Sequence, residues 1–70
     1  MKHKIKNPPK SVKVFFDKKY PKCNFEFYWY RASNGIDKIY GAFVFDPSHG
    51  LIDYSHQMTL NDFRKRTKDI

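Results

Sequence analysis

The 70-residue sequence predicts an α+β domain: a small three- to four-stranded antiparallel β-meander, free to curl into a small barrel, followed by one C-terminal α-helix. Three observations carry that expectation. Cys23 to Arg31 is dense in Phe, Tyr and Trp, residues that favour a pleated, half-buried surface. Asn34-Gly35 sits between two such runs and is the strongest short hairpin signal, because a two-residue turn of the I′ type needs positive φ at both central positions. Thr59, with Asp62 three residues on, reads as a helix start.

In chain order, residues 1–10 read as a flexible basic arm in which Asn7-Pro8-Pro9 disfavours both helix and central strand. The single domain then occupies 11–70. Ser11 to Phe16 alternates, with Val12, Val14 and Phe16 on one side, and reads as a first strand. Asp17 to Lys22 is a polar connection punctuated by Pro21. Cys23 to Arg31 and Asp37 to Phe45 form the hairpin. Counting outward from Asn34-Gly35 places Trp29 opposite Tyr40, Phe27 opposite Ala42 and Phe25 opposite Val44 on one face. Tyr30 then faces Ile39, Tyr28 faces Gly41 and Glu26 faces Phe43 on the other. Asp46 to Gly50 is a longer turn with Gly50 suited to a left-handed position, and Leu51 to Tyr54 returns as a short strand. The helix after Thr59 runs for about ten residues with Leu60, Phe63, Thr67 and Ile70 along one stripe, and Met58 and Phe63 are placed as a hydrophobic staple.

A helix of that length is only ~15 Å long and covers part of one sheet face. Large apolar groups nevertheless occupy both faces. Barrel closure, a homodimer through the sheet, or an aromatic platform for a ligand would each resolve the surplus.

Charge separates function classes more sharply than fold. The net charge of +7 is concentrated at the ends: residues 1–22 hold eight lysines against Asp17, and residues 59–70 hold four cations against two carboxylates. Between them, 23–58 holds two cations against four carboxylates. Such clusters release counterions from phosphates irrespective of base sequence. The expected function is therefore a non-enzymatic binding module for nucleic acid, DNA or RNA. Lys2, Lys4, Lys6, Lys10, Lys13, Arg64, Lys65 and Arg66 are the candidate phosphate contacts. Tyr28, Trp29, Tyr30 and Phe43 are the candidates for base stacking or for docking a partner. The alternative is a protein–protein module, such as a small inhibitor or regulator of the kind phages encode, docking on an acidic protein surface by an aromatic sheet face.

Lys38 to Phe45 matches the first RNA-recognition box at Lys38, Tyr40, Gly41 and Phe45, but that motif requires two helices interleaved with its strands and only one is legible, so the family is rejected. His3, Cys23, His49 and His56 lack the close spacing of a metal finger or ribbon, so neither metal nor cofactor is expected. Cys23 cannot form an internal disulfide, and no run approaches the ~20 apolar residues of a membrane span. The expected setting is cytoplasmic, without a catalytic residue.

Overall fold

The computed structural model describes residues 1–68. Its elements are β1 (His3–Lys4), α1 (Lys10–Lys19), β2 (Asn24–Arg31), β3 (Lys38–Asp46), β4 (Gly50–Asp53), β5 (Gln57–Thr59) and α2 (Leu60–Arg66). The five strands form one antiparallel sheet in the order β1-β2-β3-β4, with β5 pairing β3 beyond β4. The α+β class and the meander stand. The sheet stays open, so a closed barrel does not account for its second face.

The segment expected as a first strand is a helix. Val12, Phe15, Phe16 and Tyr20 recur at the i, i+3, i+4, i+8 spacing of one helical face, which a short alternation of Val12, Val14 and Phe16 conceals. Pro9 stands at the N-cap, where its missing N–H costs nothing, and Lys18 and Lys19 lie in the last turn, where cations oppose the helix dipole. Lys13 and Asp17 add an i,i+4 pair at 3.1 Å. The Asp17-Lys18-Lys19 stretch thus belongs to α1. The chain reverses after Tyr20 with Lys22 at φ 70°, the one non-glycine residue with positive φ among those described.

The N-terminal ten residues are not wholly a free arm. His3 pairs with Trp29, Lys4 pairs with Tyr28, and the Ile5 N–H donates to the Phe27 carbonyl at 2.9 Å. An edge strand of aromatics presents unpaired backbone groups, and the arm satisfies them.

The β2–β3 register is the one counted from the sequence, with Trp29 opposite Tyr40, Phe27 opposite Ala42 and Phe25 opposite Val44. The turn that sets it differs. Gly35 alone is left-handed, at φ 72°, and the Asn34 side chain accepts from the Ile36 and Asp37 N–H groups at 2.8 and 3.1 Å. The Gly35 N–H donates to the Ala32 carbonyl at 2.9 Å, so an ordinary β-turn capped by a left-handed glycine replaces the two-residue turn. Both loops join the same residue pairs, which is why the register is unchanged. Gly50 is left-handed as expected, at φ 76°, after Asp46 closes the turn on the Ser48 and His49 N–H groups.

β3 is central. One edge meets β2, while the other meets β5 at residues 39–41 and β4 at residues 44–46. A register shift between Val44 and Phe45 lies within the β3–β4 ladder, where Ile52 is the extra residue, and Tyr54 to His56 leave the ladder between β4 and β5, alongside Ala42 and Phe43. At α2, Thr59 is the N-cap and its hydroxyl accepts the Asp62 N–H at 3.3 Å. The helix is seven residues long, shorter than the stripe implied, and Thr67 ends it by donating to the Phe63 carbonyl at 2.9 Å. Ile70 lies outside the described residues.

Val12 and Phe16 of α1, Ala42 and Val44 of β3, and Phe63 of α2 form a fully buried cluster, flanked by Phe15, Phe25, Phe27, Tyr40, Met58 and Leu60. Both helices therefore cover one and the same face of the sheet, and they pack against each other there. Among the described residues, no helix covers the other face.

Candidate nucleic-acid interface

The structure does not gather the eight candidate phosphate contacts into one patch. Lys2 and Lys4 belong to the face opposite the helices. The Lys2 ammonium lies 5.2 Å from the Tyr28 ring centroid and 5.5 Å from that of Phe43, and Lys4 pairs with Glu26 at 3.2 Å. Lys13 is engaged by Asp17. Lys10 and Arg64, by contrast, come together: with Pro9, Ser11, Val14 and Thr67 they line one groove between α1 and α2. Lys65 is exposed on the same short helix, and the Arg66 Nε–H lies 3.0 Å from the Met58 sulfur. Lys6 is exposed between β1 and α1.

The carboxylates within the two helices are already committed. Asp17 pairs with Lys13, and Asp62 serves the α2 cap, taking the Thr59 hydroxyl at 3.0 Å. Among the described residues neither Lys10 nor Arg64 has an ion-pair partner.

The aromatic candidates divide between the faces. Tyr28, only 2 % exposed, cannot stack a ligand in this conformation. Its ring lies over Gly41, its hydroxyl accepts from Gln57 Nε2 at 2.9 Å, and Tyr30 holds the same amide by donating to Gln57 Oε1 at 2.7 Å. Phe43 is half-buried against Tyr28, with centroids 5.0 Å apart. Around them the uncovered face exposes Leu51 and Tyr54, by 48 % and 58 %.

Trp29 lies on the helix-covered face but beyond the reach of the core. His3 stacks on it at 4.4 Å and 23°, the Lys38 ammonium stands 4.3 Å from its centroid and 5.5 Å from that of Tyr40, and the Arg31 guanidinium stands 5.6 Å from Trp29. Arg31, Lys38 and Tyr40 are missing from the sequence-derived candidates. The signal was present in the register, since Arg31 opposite Lys38 and Trp29 opposite Tyr40 share one face.

A second polar cluster ties the end of α1 to the gap between β4 and β5. Tyr20 donates a short hydrogen bond to Asp53, whose other oxygen accepts the Ser55 N–H at 2.9 Å and the Ser55 hydroxyl at 2.7 Å. His56 Nε2 lies 3.2 Å from Asp53 and 3.3 Å from the Tyr20 oxygen. The Ser55 hydroxyl donates to Asp53, not to His56, so these groups are not ordered as a nucleophile, base and orienting acid. Among the described residues no three His, Cys, Asp or Glu side chains converge as a metal-holding group, and no helix is long and apolar enough to cross a membrane.

The cluster gives a pH prediction. The Tyr20 hydroxyl, then the two Ser55 donors, hold the Asp53 carboxyl well below the usual carboxylate range. Burial, then the Asp53 bond and charge, push Tyr20 up to about 12. A depressed acid stabilises the fold above its unfolded value, ~3.9, and the contribution fades as pH falls below that. A raised tyrosine stabilises it below its unfolded value, ~10, and the contribution fades as pH rises from there towards about 12. Tyr20→Phe should therefore lower Tm between about pH 5 and 9, with the deficit shrinking towards both extremes. Thermal melts of the two proteins across pH check this, and a deficit independent of pH would contradict the Tyr20–Asp53 bond.

Comparison of the chain with family models, curated proteins and solved structures finds no match.

Proposed function

We propose that the chain is a non-enzymatic nucleic-acid-binding module that grips the phosphate backbone with its helix layer. The observation carrying this reading is the groove between α1 and α2, where Lys10 and Arg64 stand together and, among the described residues, no carboxylate lines the space or pairs with them. Two cations fixed on separate, mutually packed helices hold a set spacing that a flexible arm would lack, so less ordering entropy is lost on binding. Such contacts position a backbone and carry no base information.

The test is a salt titration of binding to labelled DNA and RNA. Affinity should fall steeply with salt, and Lys10→Glu with Arg64→Glu should flatten the log–log slope by roughly 1.4 to 1.8, corresponding to two lost phosphate contacts. Absence of binding at low salt to every nucleic acid tried would refute the reading.

A second reading rests on the uncovered sheet face, where Leu51 and Tyr54 are 48 % and 58 % exposed, Tyr54 beside Phe43. An apolar rim of this kind suits a protein surface or a second copy of the chain. Sedimentation of the free protein distinguishes the two: a dimer dissociated by Leu51→Lys and Tyr54→Lys would favour this face as the interface.

A further inference from the structure

We propose that the notch between β1 and the start of α1, walled by Trp29 and Tyr40, receives one unpaired base, so that the protein prefers single-stranded nucleic acid to duplex. This rests on the nucleic-acid reading above and adds the substrate class.

The notch is an open space of about 350 Å³ whose lining includes Ile5, Asn7, Pro9, Trp29, Lys38 and Tyr40 and, among the described residues, no carboxylate. Its volume falls in the lower range of small-ligand sites. Trp29 and Tyr40 are cross-strand partners, so the pleat turns both rings to the same side. Neither belongs to the fully buried cluster, and both remain half-buried with ring surface at the notch. Three cationic or imidazole groups already gather on the indole: Lys38 at 4.3 Å, Arg31 at 5.6 Å and His3 stacked at 4.4 Å.

An aromatic pair ringed by cations matches a nucleotide, which presents a flat π-face and an anion a few ångströms apart. Lys38 is the moving part. Its side chain is exposed, and its ammonium now covers the ring surface a base would take. On binding, the base replaces the ammonium over Trp29 and the ammonium turns to the phosphate of the same nucleotide, with Arg31 beside it. The N-terminal side is closed by β1 and Pro9, so the base must enter as a single splayed ring. A base held in a duplex is stacked and paired and cannot do so without paying its unstacking energy. Pro9 also lines the Lys10–Arg64 groove, so the notch continues the proposed backbone track.

The sole tryptophan of the chain reports on the site directly. Full-length protein is titrated with an oligo(dT) of roughly 15 nucleotides, a duplex of matched length, and polyglutamate, following both indole emission and the anisotropy of labelled ligand. The expected result is quenching by oligo(dT) alone, with single strands bound more tightly than duplex. Trp29→Ala should weaken single-strand binding roughly five- to hundredfold and leave duplex binding unchanged, whereas Trp29→Phe should retain most of it. Equal affinity for single strand and duplex with unchanged emission overturns the notch while leaving the helix-layer reading intact. Absence of binding to both nucleic acids overturns both. Quenching by polyglutamate as strong as that by oligo(dT) overturns the notch in favour of an acidic peptide.

Discussion

Phe16→Ala should leave the protein unfolded at room temperature. Phe16 is fully buried and is the hub of the helix–sheet interface. Its ring meets Phe25 at 5.8 Å, Phe27 at 5.9 Å, Phe63 at 5.8 Å and the adjacent Phe15 at 5.2 Å. Truncating a buried Phe to Ala typically costs about 3–5 kcal/mol, from lost transfer energy and from the cavity left behind. A domain of this size holds roughly 3–5 kcal/mol in total, and Cys23 offers no internal disulfide to add to it. The two magnitudes are comparable, so the folded state is no longer favoured. The rings around Phe16 come from both helices and from β2, so no single element can collapse into the gap alone. Far-UV circular dichroism and urea titration test this. Phe16→Leu, which keeps most of the volume, should stay folded with a lowered urea midpoint. A cooperative urea transition for Phe16→Ala within about 1 kcal/mol of wild type would show that the core relaxes around the cavity.

The contrast between α1 and the β2–β3 hairpin shows what local sequence can decide. In the hairpin, period-two alternation, β-formers and a turn signal all point the same way, and even a wrong turn type preserves the pairing because both candidate loops join Arg31 to Lys38. In α1 the two periodicities compete over a stretch too short to separate them: Val12 and Phe16 fit either period. What decides is tertiary: only as a helix does Lys10–Lys19 bring Val12 and Phe16 together onto Ala42, Val44 and Phe63. Missing that helix also hid the groove, since Lys10 read as part of an arm has no fixed relation to Arg64. The Trp29 notch was half legible. Its strand partners followed from register, but its closing wall, β1 and Pro9, required knowing that the N-terminus pairs with β2.

The same register explains how one aromatic of the uncovered face became core without a helix above it, and this yields a second strong expectation, that Gly41→Ala destabilises the fold by about 1–3 kcal/mol. Gly41 is directly opposite Tyr28, and the absence of a side chain lets the ring fold down onto β3. A Cβ placed there would stand 2.8 Å from the Tyr28 hydroxyl oxygen, 2.9 Å from its Cζ and 3.1 Å from the His56 carbonyl oxygen. The tyrosine can swing away, but His56 is backbone and is held by the β5 pairing of Gln57 with Gly41 itself. Swinging the ring out breaks its bond with Gln57 and exposes a surface that is now 2 % accessible. Burial raises the Tyr28 pKa, so an alkaline titration followed at the phenolate band should show one tyrosine returning towards its ordinary value in Gly41→Ala. The energetic check is a double-mutant cycle with Tyr28→Ala. If the ring over the glycine is the source of the cost, the two substitutions should couple by about 0.5–3 kcal/mol, the second costing less once the first is made. Additive effects would instead assign the cost to the His56 carbonyl, and the uncovered face would then owe its order to the β3–β5 ladder rather than to Tyr28.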